Sequence, residues 1–152
     1  MTGPQNGPIT GPANGPTGPK VSRTALAHLT DARACLADAA LATSPADKYI
    51  NAHLAALRAA AAILAARPQL NDGRRRRLRS AWELLPEAQP ELAQWAAYFA
   101  VSAKKRAAAE AGLVHLVSPH DAEELIAEAQ AFVTIIESTL GVMTQDTLPM
   151  AG

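Results

Sequence analysis

The chain holds a single cysteine, Cys35. That excludes an intramolecular disulfide and any zinc site built from several thiolates. A lone Cys in an apolar helical stretch reads as a small core residue. Aromatics are nearly as scarce, with two each of Trp, Tyr and Phe among 152 residues. No sign of charge is in excess: 14 Lys and Arg face 14 Asp and Glu. No global field therefore pulls the chain toward nucleic acid or a membrane. No apolar h-region opens the sequence, so no signal peptide is expected. The Ala-rich run around Ile63 is interrupted by Arg58 and Arg67. No membrane span is expected from it, and the cytosol is the expected compartment. Strand patterns are missing too, because Val and Ile never alternate with polar residues. Without strands there is no Gly-rich phosphate loop and no Ser-hydrolase elbow.

What the chain has is alanine and helix signals. Ser44-Pro45-Ala46-Asp47 and Ser118-Pro119-His120-Asp121 each open a long periodic run. In both, Ser can cap the first N–H groups, Pro sits at the first helical position, and Asp meets the positive helix end. Five helices are expected. The first covers about 24–42, with Leu26, Leu29, Leu36 and Ala40 in 3/4 spacing interrupted by Arg33. The second covers about 45–66, with a stripe of Ile50, Leu54, Leu57, Ala61 and Leu64, and stops at Arg67-Pro68. A third, shorter one covers about 74–85 and ends at Pro86. The fourth covers about 91–111 with Leu92, Trp95, Phe99 and Ser102 inward, closed by Gly112. The fifth covers about 119–140, with Leu125, Ala129, Phe132, Val133, Ile136 and Leu140 inward and Gly141 as its stop. Short links predict antiparallel neighbours in an all-α up-and-down bundle. Alanine buries little area, so the core must rest on few large residues, with close approach where Ala faces Ala.

The ends differ in kind. In residues 1–22, five Gly-Pro pairs follow one another at three intervals of four residues and one of three, which is not the collagen period. Pro, Gly and the near absence of apolar residues predict a disordered tail. Residues 142–152 are expected to be a flexible C-terminal tail, leaving 23–141 as the folded domain. Charge is uneven along that domain. Every Lys and Arg lies at or before Arg106, and beyond it come only acids and two His. A basic middle and an acidic last helix could attract each other within one molecule or between two.

The run Tyr49-Ile50-Asn51-Ala52-His53-Leu54-Ala55-Ala56-Leu57-Arg58 resembles the second helix of HEPN (higher eukaryotes and prokaryotes nucleotide-binding) domains. Val117-Ser118-Pro119-His120-Asp121-Ala122-Glu123-Glu124-Leu125 resembles their closing helix. With Ser80-Ala81-Trp82-Glu83-Leu84-Leu85-Pro86 and Lys104-Lys105-Arg106-Ala107, the pattern over residues 25–140 is similar to a small actinobacterial HEPN family. The resemblance implies a helical bundle that commonly dimerises. It also implies a relation to metal-independent ribonucleases that carry Arg, about four to six residues, then His near the start of the final core helix. In such a site His moves the proton of the RNA 2′-OH while Arg holds charge on phosphate.

The chain departs from that motif. Arg106 and His115 are the catalytic candidates, but eight residues separate them. Arg23 and His28 have the right spacing but stand in the first helix, where a chance match is the better reading. The densest basic patch is Arg74–Arg77 with Arg79. Arg75, Arg76 and Arg79 at helical spacing would share a face able to meet several phosphates. No aromatic is interleaved to stack bases. His53 reads as a hydrogen-bonded, half-buried residue. The four His share no ligand spacing, so no metal and no cofactor is expected. These readings converge on a dimeric, non-catalytic HEPN-like binding or regulatory module of RNA or nucleotide biology. Its expected partners are a second copy, RNA or a nucleotide, or another protein, with no membrane. The alternatives are a metal-independent HEPN ribonuclease and a structural protein–protein adaptor.

Overall fold

A computed structural model describes residues 21–67 and 79–142. The expected tails lie almost entirely outside the described residues, as do Arg74–Arg77. The described chain is an all-α bundle of five helices: α1 (Arg23–Leu41), α2 (Pro45–Ala66), α3 (Ala81–Ala88), α4 (Ala93–Glu110) and α5 (Pro119–Thr139). Short 3₁₀ turns, Pro90–Leu92 and Val114–Leu116, lead into α4 and α5.

Helix ends follow local chemistry. Ser22, Ser44, Ser80 and Ser118 each accept a hydrogen bond from the backbone N–H three residues on. At Ser80 and Ser118 the third helical residue, Glu83 or Asp121, reaches back to the cap N–H and completes a capping box. Two helices stop on glycines in the left-handed region, Gly112 at φ 102° and Gly141 at φ 74°. Each end is a Schellman motif: Leu113 N–H donates to Ala108 O at 3.0 Å, and Val142 N–H to Glu137 O at 2.8 Å. At the end of α1, Lys48 Nζ supplies donors to Ala39 O and Ala40 O at 3.4 and 3.3 Å.

Helix α2 is the central element and packs on α1, α3, α4 and α5. Its buried face is not the expected leucine stripe. Ile50, Leu54, Leu57, Ala61 and Leu64 are only half-buried. The buried residues are Ala46, Tyr49, Ala52, His53, Ala55, Ala56, Ala59, Ala60, Ala62 and Ile63. Small side chains let neighbouring helices come close on several sides, so the burial follows Ala rather than Leu. The same correction holds for α1. Leu26 and Ala40 are exposed, and the core stripe is Ala25, Leu29, Ala32, Leu36 and Ala39. In α5 the six expected inward residues are all buried.

By length and composition α2 is apolar enough to cross a membrane, contrary to the expectation drawn from Arg58 and Arg67. Half of that span is buried inside the bundle, as in the core helix of a folded domain.

Helix α3 also departs from expectation. Its capped start at Ser80 sets the first turn at Ala81, and it continues through Pro86 to Ala88. Proline removes one helical donor there. In so short a helix only one i→i−4 bond is lost, and Gln89 N–H still closes on Leu85 O at 2.8 Å. Helix α3 carries Trp82 and Leu85 into the core. Trp82 stacks on Phe99 with centroids 5.1 Å apart. Phe99 meets Phe132 at 5.0 Å, and Trp95 meets Phe132 at 5.4 Å. This aromatic cluster joins α3, α4 and α5 where the large residues are concentrated.

One ion pair ties the first helix to the last. Arg33 donates to both carboxylate oxygens of Glu137, at 3.0 and 2.6 Å, and to Thr134 Oγ1 at 3.3 Å. Arg33, which interrupts the apolar stripe in sequence, is therefore the partner of a buried acid on α5.

Candidate functional site

The structure does not unite the residues expected to form a ribonuclease pair. Arg106, in the last turns of α4, faces Glu110 with Nε to Oε1 at 3.6 Å. His115 is exposed on the 3₁₀ turn Val114–Leu116. Among the described residues no hydrogen bond or ion pair links the two. Arg23 is exposed and His28 half-buried at the start of α1.

Arg106 instead neighbours a histidine that sequence spacing did not single out as a partner. His53 is fully buried, with Nδ1 2.8 Å from Ser102 Oγ of α4. The Ser102 hydroxyl donates to Phe99 O at 3.0 Å. With the hydroxyl proton on Phe99 O, the fitting ring tautomer donates from Nδ1 to Ser102 and leaves Nε2 as the acceptor. Nε2 is buried without a hydrogen-bond partner among the described residues, as are Trp82 Nε1 and Arg106 Nε. Burial first, and the Arg106 charge second, lower the His53 pKa to about 4. At neutral pH this imidazole is uncharged and enclosed by Trp82 and Phe99, whose rings meet it edge-on. The expected half-buried His53 is therefore a fully buried one. Its partner Ser102 lies 49 residues away, beyond the reach of any short spacing pattern. Ser102, an inward polar residue on α4, was the available signal.

The basic patch is visible only in part. Arg75 and Arg76 lie outside the described residues. Arg79 stands before the Ser80 cap, so it is not on α3 as the expected shared helical face required. Its guanidinium pairs with Glu87 and donates to Glu83 O at 3.4 Å. That pairing raises its pKa.

On the N-terminal turn of α5, Asp121 takes Ser118 N–H and Lys105 Nζ, both at 3.1 Å. The cap bond, and then Lys105, hold its carboxyl below the usual range. Among the described residues no three or more His, Cys, Asp and Glu gather as metal ligands. Burial pushes the Cys35 thiol up, away from a reactive thiolate.

A cleft of about 320 Å³ opens beside α4 and α5, lined by Glu91, Gln94, Trp95, Tyr98 and Glu128. Four of the five fall at 91, 94, 95 and 98, one face of a helix. That spacing is legible in the sequence, where Trp95 was expected only in the core and the two acids carried no signal of their own. Gln89 bridges the rim: its amide donates to Glu91 Oε1 at 3.0 Å and its oxygen accepts from Arg67 Nε at 2.9 Å. Glu128 is half-buried and has no cation partner among the described residues. Burial, then the charges of Glu124 and Glu128, push the Tyr98 phenol up to about 12.

No curated protein and no solved structure matches the chain. Residues 39–137, well over half of its length, match the SAV_6107-like HEPN family. That span runs from the end of α1 through the His53–Ser102 contact to the Glu137 anchor. With the all-α bundle around it, the chain belongs to the SAV_6107-like HEPN family.

Proposed function

We propose that this chain is a dimeric, non-catalytic HEPN module that binds RNA or a nucleotide through Arg75, Arg76 and Arg79. The observation that carries the non-catalytic reading is that the histidine beside Arg106 is no usable proton carrier. Its histidine neighbour, His53, is sealed in the core and uncharged at neutral pH. A metal-free ribonuclease needs an accessible acid–base group and a cation on the same phosphate. His115 is accessible, but it shares no hydrogen bond or ion pair with Arg106 among the described residues.

The test uses fluorescently labelled single-stranded RNA at low salt. The parent chain binds it and leaves it intact in EDTA. The triple charge reversal of Arg75, Arg76 and Arg79 abolishes binding. Single charge reversals weaken it, and each flattens the salt slope by roughly 0.7 unit for the one phosphate no longer neutralised. Light scattering gives a dimer at micromolar concentration. Unchanged RNA binding in the triple variant removes the patch from the proposal. RNA cleavage in EDTA that His115→Ala or Arg106→Ala abolishes replaces it with the ribonuclease.

A further inference from the structure

The cleft beside α4 and α5 has the wrong charge for the ligand of the module proposed above. Two carboxylates, Glu91 and Glu128, line it, and among the described residues no Lys or Arg does. Their like charge disfavours phosphate there. The sequence adds to this field, because no Lys or Arg follows Arg106.

The remaining walls are aromatic. Trp95 lies nearly parallel to Phe99, at 15°, while Tyr98 meets Phe99 at 83°. The rings of Trp95 and Tyr98 therefore stand close to perpendicular to each other. A planar guanidinium is best held flat on one ring or between parallel rings. A compact tetrahedral cation can touch two walls that meet at a corner. Aromatic rings attract such a cation through their quadrupoles, and carboxylates nearby supply its countercharge.

We propose that this cleft is a binding site for a small-molecule alkylammonium, with Trp95 and Tyr98 as its walls and Glu91 and Glu128 as its counter-ions. Three features support that occupant. The volume, about 320 Å³, lies at the lower end of small-molecule pockets. Glu128 is half-buried without a cation among the described residues, a state that a bound ammonium would relieve. The Tyr98 phenol stays protonated across the physiological range, so its ring is a neutral wall. The residues that line this site are not those of the basic patch, so neither reading depends on the other.

Isothermal titration calorimetry of the full chain tests it with choline as the probe. Its neutral isostere, 3,3-dimethylbutan-1-ol, serves as the control. Choline binds with a dissociation constant of about 1 mM or tighter. The neutral isostere binds at least about tenfold more weakly, a loss of about 1.4 kcal/mol that reports the charge. Glu128→Gln, which keeps the side-chain volume, weakens choline several-fold while the circular dichroism spectrum is unchanged. The comparison of the two probes on the parent chain stands even if a variant folds poorly. Equal affinity for the alcohol, tighter binding of guanidinium than of choline, or no binding heat at about 10 mM choline each overturns the proposal. Preference for a trimethyl-lysine peptide over choline overturns the assignment to a free small molecule.

Discussion

His53 makes the bundle sensitive to acid between about pH 6.5 and 4. Its ring is neutral in the fold, with the pKa lowered from 6.5 to about 4. In the unfolded chain the ring takes a proton below 6.5, while the folded ring refuses it until about 4. Between those values the unfolded state binds more protons, so stability falls as pH falls. At pH 5 most unfolded rings are charged and most folded rings are not. Linkage then makes the fold roughly 2 kcal/mol less stable at pH 5 than at pH 7, with the loss complete below pH 4. Asp121 runs in the opposite sense. Its pKa is depressed by its cap and Lys105, so its contribution is intact at pH 5 and fails only at more acid pH. Urea unfolding followed by circular dichroism at pH 7, 6 and 5 measures the His53 contribution. His53→Gln is the control, since the amide can still donate to Ser102 but cannot titrate. Its absolute stability is lower, but its pH 7-to-5 slope should be nearly flat. Equal slopes in parent and variant, or a parent whose stability does not change over that range, would refute the reasoning.

Two further outcomes follow from the same structure. Arg33→Ala strands the buried Glu137 carboxylate; the expected loss is about 2 kcal/mol in urea unfolding, below the roughly 3–5 for a fully buried pair because Arg33 remains partly in water. Adding Glu137→Gln to it should recover part of that loss. Deleting residues 1–20, whose one branched apolar side chain is Ile9, should leave the melting temperature unchanged in a calorimetric scan; a clear drop would show that the segment packs on the bundle.

The sequence by itself determined the helices and most of their ends. A Ser cap, an N1 Pro and a stop Gly act within one turn of backbone, so Ser44–Pro45, Ser118–Pro119, Gly112 and Gly141 could be read without knowing the fold. The inward face of α5 was legible for a related reason. Its large residues fall on one side, and that is the side the bundle buries. The start of α3 was less legible, because the Arg run and Pro86 pull the expected helix toward the N-terminus, while the capping box of Ser80 and Glu83 sets its true beginning.

Only the tertiary structure decided which face of α2 is buried. A helix with neighbours on several sides buries what permits close approach, and in this chain that is alanine rather than leucine. Periodicity weighs side chains by hydrophobicity, and packing weighs them by size and distance. The same limit governs the chemistry. His53 and Ser102, Arg33 and Glu137, and Trp95 and Glu128 come from different helices. Their pairing is set by how the helices are rotated against one another, and that rotation is fixed by the whole core at once. A local pattern can say that a residue sits on a helix, but only the assembled bundle decides which polar groups lose water together and must therefore meet.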